Sequence, residues 1–213
     1  MKNYDSIIFD LDGTLWNSSE TVAEAWNTAL AEGGHSLRIT GADVLSHMGK
    51  SMDVIMRDVF GADISDKAVA DFLEMLSAQE IKHIEEKGGV LFPELEKTLS
   101  LLRENYRLFI VSNCQKDYIE AFLKAHKLSE YFEGFMCWGD TMLHKGETNT
   151  RLIEKYSLKN PVYVGDTEGD HASAVFAGIP FVHAAYGFGE VSGADYVIDS
   201  FAQLGVIFGG TRA

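Results

Sequence analysis

Three short apolar runs, each stopping at a polar cluster, restrict this chain more than any other feature. Ser6-Ile7-Ile8-Phe9 ends at Asp10, Leu108-Phe109-Ile110-Val111 ends at Ser112-Asn113, and Pro161-Val162-Tyr163-Val164 ends at Gly165-Asp166. Their length and β-branched content predict buried strands rather than helices. Weaker runs at Phe181-Val182 and Tyr196-Val197-Ile198, with a further candidate at Phe135-Met136-Cys137-Trp138, extend the series. Between them lie residues at helical spacing: Leu95, Thr98, Leu99 and Leu102; Ile119, Phe122 and Leu123; Leu152, Ile153 and Tyr156. Strands alternating with helices predict an α/β fold, a doubly wound, mostly parallel, Rossmann-like sheet covered on both faces. Ligands bind such sheets at the carboxyl ends of the strands, near the topological switch point. Polar residues at three strand ends therefore mark a site.

Residues 16–89 follow another pattern. Val22, Ala25, Trp26, Ala29 and Leu30 share a helical face that Gly33-Gly34 ends. Thr40 is placed to cap a helix carrying Val44, Leu45 and Met48, stopped at Gly49. Ser51 begins another with Val54, Ile55 and Val59, and Ser65 a longer one through Phe72, Leu73 and Leu76 toward Ile84. No strand signal occurs here. The expectation is an all-helical domain at 16–89, inserted into an α/β core of 1–15 and 90–213, with hinges at Leu15-Trp16-Asn17 and Gly88-Gly89.

Charge narrows the partners. Lys and Arg number 18 against 32 Asp and Glu, a formal charge of -14. Such a surface repels nucleic-acid backbones and anionic membranes, so neither is an expected partner. It also repels a small phosphorylated metabolite, so a phosphate site here needs local positive charge from a metal or a placed Lys. The two cysteines match no zinc spacing. The start of the chain has no signal-peptide pattern, and no apolar stretch is long enough to span a bilayer. A cytoplasmic protein, monomer or weak homodimer, is expected.

The strand-end clusters carry chemistry. Asp10 and Asp12 lie two apart, so a persisting strand directs both to one side; Gly13 permits a sharp turn and Thr14 offers a hydroxyl. Two carboxylates in different environments can divide attack and proton transfer. Gly165-Asp166-Thr167-Glu168-Gly169-Asp170 offers the oxygen ligands that suit Mg²⁺. Ser112 and Asn113 before a helix can hold an anion, and Lys145 precedes Gly146, where the backbone is expected to turn into a helix. Each has an ordinary alternative: an Asp-Gly turn, a helix cap at Asp166 or Thr167, a cap at Ser112, a surface Lys.

Taken in order, these motifs resemble the haloacid-dehalogenase-like superfamily, whose phosphatases carry four ordered motifs. Asp10-Leu11-Asp12-Gly13-Thr14 looks like the first, Ser112 the second, Lys145 the third and Gly165-Asp166 with Asp170 the fourth. The helical insertion resembles that superfamily's cap. The resemblance implies that Asp10 attacks phosphorus and that Asp12 protonates the leaving oxygen and then activates water. It implies Mg²⁺ held by Asp10, the Asp12 backbone carbonyl and Asp166, with Asp170 orienting a metal-bound water or Lys145. Ser112, Asn113 and Lys145 would hold the phosphoryl oxygens, with Thr14 helping to position the reacting groups. Phe92-Pro93 and Gly187-Phe188-Gly189 resemble the phosphoglycolate-phosphatase-like branch, from which Glu94 (usually Gly) and Gly146 (often Pro) depart. Lys50, in the loop His47-Met48-Gly49-Lys50-Ser51, and Trp16 and Asn17 are expected to line the substrate pocket. Within the superfamily, Asp12 disfavours a dehalogenase. A sugar-phosphate mutase resembling β-phosphoglucomutase is the nearer alternative, but such mutases carry a His where this chain has Val22. A receiver-like phospho-acceptor module is a third reading, disfavoured by the helical insertion.

Overall fold

The computed structural model describes residues 4–209; residues 1–3 and 210–213 of the expected core lie outside the described residues. Six parallel strands form the main sheet: β1 (Ser6–Phe9), β4 (Arg107–Ser112), β5 (Gly134–Cys137), β6 (Pro161–Gly165), β7 (Phe181–Ala184) and β8 (Tyr196–Ile198). Two short strands, β2 (Trp16–Asn17) and β3 (Val90–Leu91), pair antiparallel in a separate ribbon. The main sheet runs β5-β4-β1-β6-β7-β8. Successive strands are added on one side of β1 and then on the other, which is the doubly wound order.

Alternation along the strands explains why both faces are covered. Ile7, Phe9, Leu108, Ile110, Val162 and Val164 belong to one hydrophobic cluster, and Ile8, Phe109, Val111 and Tyr163 to a second. Successive side chains of a strand point to opposite faces. The first cluster is completed by α5 (Leu95–Leu102), α6 (Tyr118–His126) and α10 (Gln203–Phe208), the second by α8 (Lys145–Tyr156) and α9 (Glu168–Ala177). A strand buried on both faces has no polar positions to alternate, hence its continuous apolar run.

Between β2 and β3 lie α1 (Ser19–Glu32), α2 (Gly41–Leu45), α3 (Met52–Phe60) and α4 (Asp66–Lys87). Thr40 and Asp43 form a reciprocal capping box, and the Ser65 hydroxyl accepts from Ala68 N. Helix α4 packs on α1, on α3 and, across the domain divide expected from sequence, on α6. Among the described residues no helix is long and apolar enough to cross a membrane.

Four local expectations are corrected. Trp16–Asn17 is a strand although the segment carries no strand signal, because it pairs with Val90–Leu91, directly after the second expected hinge. Trp138 opens α7 (Trp138–Thr141) instead of closing β5. Helix α2 stops at Leu45, leaving Met48 in a turn. Gly146 lies inside α8, where an added Cβ would stand 2.8 Å from the Phe176 ring, so close helix packing requires Gly there rather than a turn.

Candidate active site

Register brings the strand ends together. Phe9 pairs with Ile110 on one side and Val164 on the other, so Asp10 emerges at the carboxyl edge between β4 and β6. This edge, between β1 and β6, is where the winding direction reverses. Asp10, Asp166 and Asp170 are all buried there, and their carboxylate oxygens lie within 4.8 Å of one another.

One ammonium serves this cluster. Lys145, the first residue of α8, donates to Asp10 Oδ1 at 2.6 Å and to Asp170 Oδ1 at 2.5 Å. Burial disfavours its charge, but the two carboxylates outweigh that and hold Lys145 protonated. Asp170 Oδ2 accepts from Thr167 N and Oγ1, completing the capping box of α9. Asp170 thus caps α9 through one oxygen and meets Lys145 through the other. Burial raises the Asp170 carboxyl, yet Lys145 and the Thr167 bonds bring it below the ordinary range. Asp10 is driven the other way, by burial and by Asp170, with Lys145 opposing. Burial and Asp170 push Asp166 up to about 7.

The oxygen donors fit a hard divalent cation. Two like charges about 4 Å apart repel by roughly 4 kcal/mol at an effective dielectric near 20. Three buried carboxylates facing one ammonium leave negative charge uncompensated, and carboxylate oxygens are the ligands Mg²⁺ prefers. Asp166 is also held from outside the cluster: Oδ2 accepts from Phe188 N at 2.8 Å and Oδ1 from Thr14 Oγ1 at 3.4 Å. Gly13 has φ +84°, and a Cβ there would lie 2.1 Å from Asp166 Oδ2. Both the turn and the approach of Asp166 thus demand Gly.

Asp12 occupies a different setting. Its Oδ1 accepts from Ser18 Oγ at 2.7 Å and from Tyr118 OH at 3.1 Å, and Tyr118 OH also donates to Ser18 Oγ at 2.8 Å. Burial raises its carboxyl, and these hydroxyls only partly offset the effect.

The remaining predicted residues divide. Asp10, Asp12, Ser112, Asn113, Lys145 and Lys50 all line one cavity between the sheet edge and helices α1–α4. Ser112 Oγ accepts from Cys114 N, and Asn113 Nδ2 donates to Gly49 O at 2.8 Å, tying the loop after α2 to the core. Lys50 is paired with Asp58 at 2.8 Å. Thr14 is fully buried and faces Asp166, not the cavity. Trp16 and Asn17 do not line the cavity either. Pairing of β2 with β3 turns Trp16 inward against Tyr118, Phe122 and His126, and Asn17 Oδ1 accepts from Ser19 N at the start of α1.

A family model described as "Haloacid dehalogenase-like hydrolase" matches residues 7–184. The chain belongs to that hydrolase family. It is similar to the phosphoglycolate phosphatase of Aliivibrio fischeri, 28% identical with 93% of each chain covered. It is also similar to that of Yersinia pestis, at 29% with 93% of this chain and 90% of the relative. In fold it matches a haloacid dehalogenase-like family hydrolase from Streptococcus pneumoniae, with TM-score 0.80, 24% identity and coverage of 98% and 100%. It also matches CbbY from Rhodobacter sphaeroides, with TM-score 0.81, 21% identity and coverage of 95% and 96%.

Within this hydrolase, sequence reasoning missed Ser18, Tyr118, Glu80 and Gln115. All four stand in or beside the cavity, but none belongs to a local motif. Phe188 is a partial exception: its flanking glycines are visible in the sequence, and the reason for them is packing, since a Cβ on Gly187 would stand 2.3 Å from Asp166 Cβ.

Proposed function

We propose that this hydrolase cleaves a small phosphate monoester through an aspartyl-phosphate on Asp10, with Mg²⁺ as cofactor and residues 16–89 as a cap over the site. The observation that carries the reading is the Lys145 ammonium bridging Asp10 and Asp170 beside Asp166 at the floor of a cavity.

Asp10 attacks phosphorus; the new bond joins a carboxylate oxygen to phosphorus as the ester P–O bond breaks. Asp12 gives its proton to the departing oxygen, and the Ser18 and Tyr118 hydroxyls stabilise the carboxylate that remains. Water then attacks phosphorus, its proton passes to Asp12, and cleavage of the acyl-phosphate P–O bond restores Asp10. Lys145 and the Ser112–Asn113 strand end bind the phosphoryl oxygens, and Asp170 keeps Lys145 aimed. The Asp10 carboxylate, the Asp12 backbone carbonyl and Asp166 would hold the Mg²⁺, which when bound neutralises phosphoryl charge beside these carboxylates.

Transfer to water rather than to a sugar is supported by Val22. It lines the cavity where the mutases resembled by the sequence carry a His, and it offers no proton relay. Phosphoglycolate is the first substrate to try, because the curated relatives bear its name. The test is hydrolysis of p-nitrophenyl phosphate and phosphoglycolate with Mg²⁺ or with EDTA. Asp10→Asn should lower kcat by at least about 10³-fold while the variant stays folded. Turnover retained in Asp10→Asn, with deamidation excluded by mass spectrometry, would sink the nucleophile assignment. Turnover undiminished by EDTA would sink the metal assignment.

A further inference from the structure

The cavity lined by Asp10 and Asp12 is also lined by Glu80 of α4 and by Gln115, and neither has a place in the chemistry above. Apolar side chains line it as well, among them Val22, Trp26, Val44, Met52 and Ile55. Glu80 is 3% exposed and Gln115 6%. Glu80 Oε2 accepts from Trp26 Nε1 at 2.7 Å. The Gln115 amide stands beside the same carboxylate and, after Trp26, favours its charged form, yet its Nε2 meets hydrogen-bond geometry with no acceptor among the described residues. Buried polar atoms are rarely left this way without a ligand or water to complete them.

The cations of the cavity are already matched. Lys145 is held by Asp10 and Asp170, and Lys50 and His47 both face Asp58. Among the described residues no Lys, Arg or His forms an ion pair with Glu80. A substrate carboxylate facing this pair would therefore meet a buried acid and no free cation. An ammonium would suit Glu80 but leave Gln115 Nε2 unpaired. A hydroxyl satisfies both, donating to Glu80 and accepting from Gln115.

We infer that the leaving group of the substrate is a neutral hydroxylated carbon skeleton, an alcohol phosphate bearing a further hydroxyl read by Glu80 and Gln115, rather than a phosphorylated carboxylate. The inference rests on the phosphatase reading and sharpens its substrate class. It departs from what the names of the curated relatives point to.

The test compares kcat/KM of the full chain with Mg²⁺ on glycerol 1-phosphate, phosphoglycolate and O-phosphoethanolamine, with p-nitrophenyl phosphate as an indifferent substrate. Glycerol 1-phosphate should exceed each of the other two metabolites by at least about tenfold, since a site built around a hydroxyl rejects analogues lacking it. At about pH 8, where Glu80 has released its proton, E80Q keeps an acceptor but lacks the charge, so the glycerol-to-glycolate ratio should fall by about tenfold. Q115L should lower the same ratio by removing the donor, and it stands in should E80Q fail to fold by circular dichroism. Preference for phosphoglycolate or O-phosphoethanolamine, or ratios unmoved in the folded variants, overturns the inference while leaving the phosphatase reading intact. No turnover of any of the four substrates overturns the phosphatase reading and this inference with it.

Discussion

At the scale of single residues, the two carboxylates of the first motif differ in what surrounds them. Asp10 faces an ammonium and two carboxylates, whereas Asp12 faces two hydroxyls. That difference, more than their spacing, suits one to attack and the other to proton transfer. Tyr118 is the residue through which the distinction can be tested. Tyr118→Phe keeps the ring and deletes the hydroxyl shared by Asp12 and Ser18. It should lower kcat by about tenfold, a part of the 10²–10⁴ that a positioned proton donor supplies. KM should change far less, and unfolding free energy should fall by about 1 kcal/mol. Wild-type kcat in this variant would remove Tyr118 from the proton-transfer apparatus.

At the scale of elements, the ends of helices and strands do most of the positioning. Helix α8 starts at Lys145, α9 starts beside Asp166, and β1 stops at Asp10, so termini converge on one point. The join into α5 shows how local backbone limits enter. Glu94 caps that helix at φ 59°, ψ 18°, in the left-handed region, where the related branch usually places Gly. The departure noted in the sequence thus falls at a position with a conformational reason for Gly. Glu94→Gly should be tolerated without loss of thermal stability, and Glu94→Val should lower the melting temperature, because a β-branched residue is strained there. Equal melting temperatures for the two variants would show that the turn relaxes.

At the scale of the whole molecule, one buried carboxyl links the helical segment to overall stability. Glu80 on α4 joins Trp26 on α1, and burial raises its carboxyl from the ordinary 4.5 to about 7, with Trp26 and Gln115 opposing and Asp12 adding to the rise. Below pH 4.5 both folded and unfolded chains hold this proton. As pH climbs toward 7 the unfolded chain releases it first, so stability falls, and above 7 the loss is complete. The contribution should be about 3 kcal/mol. Denaturant titrations from pH 4.5 to 8 in constant Mg²⁺ should therefore show a decline in the wild type that is reduced by this amount in E80Q. Parallel curves for the two proteins would mean that water or relaxation already solvates Glu80.

The sequence by itself determined the main sheet, the four-helix segment and the strand-end positions of the candidate site residues. Apolar periodicity, capping residues and the Asp10–Thr14 motif are local, and a parallel sheet buried on both faces leaves few other ways to arrange them. Tertiary structure decided what depends on partners far along the chain. Tyr118 reaches Asp12 across 106 positions, a contact no spacing announces. Trp16 looked like a pocket residue because it follows the motif, but pairing of β2 with β3 buried it. Glu80 shares the buried face of α4 with Leu76 and Ile84, and only the packing of α4 on α1 and α6 decides that it lines the cavity. Local sequence fixes which groups can react, because backbone geometry is set within a few residues; the fold fixes what surrounds them, because desolvation and pairing come from distant neighbours.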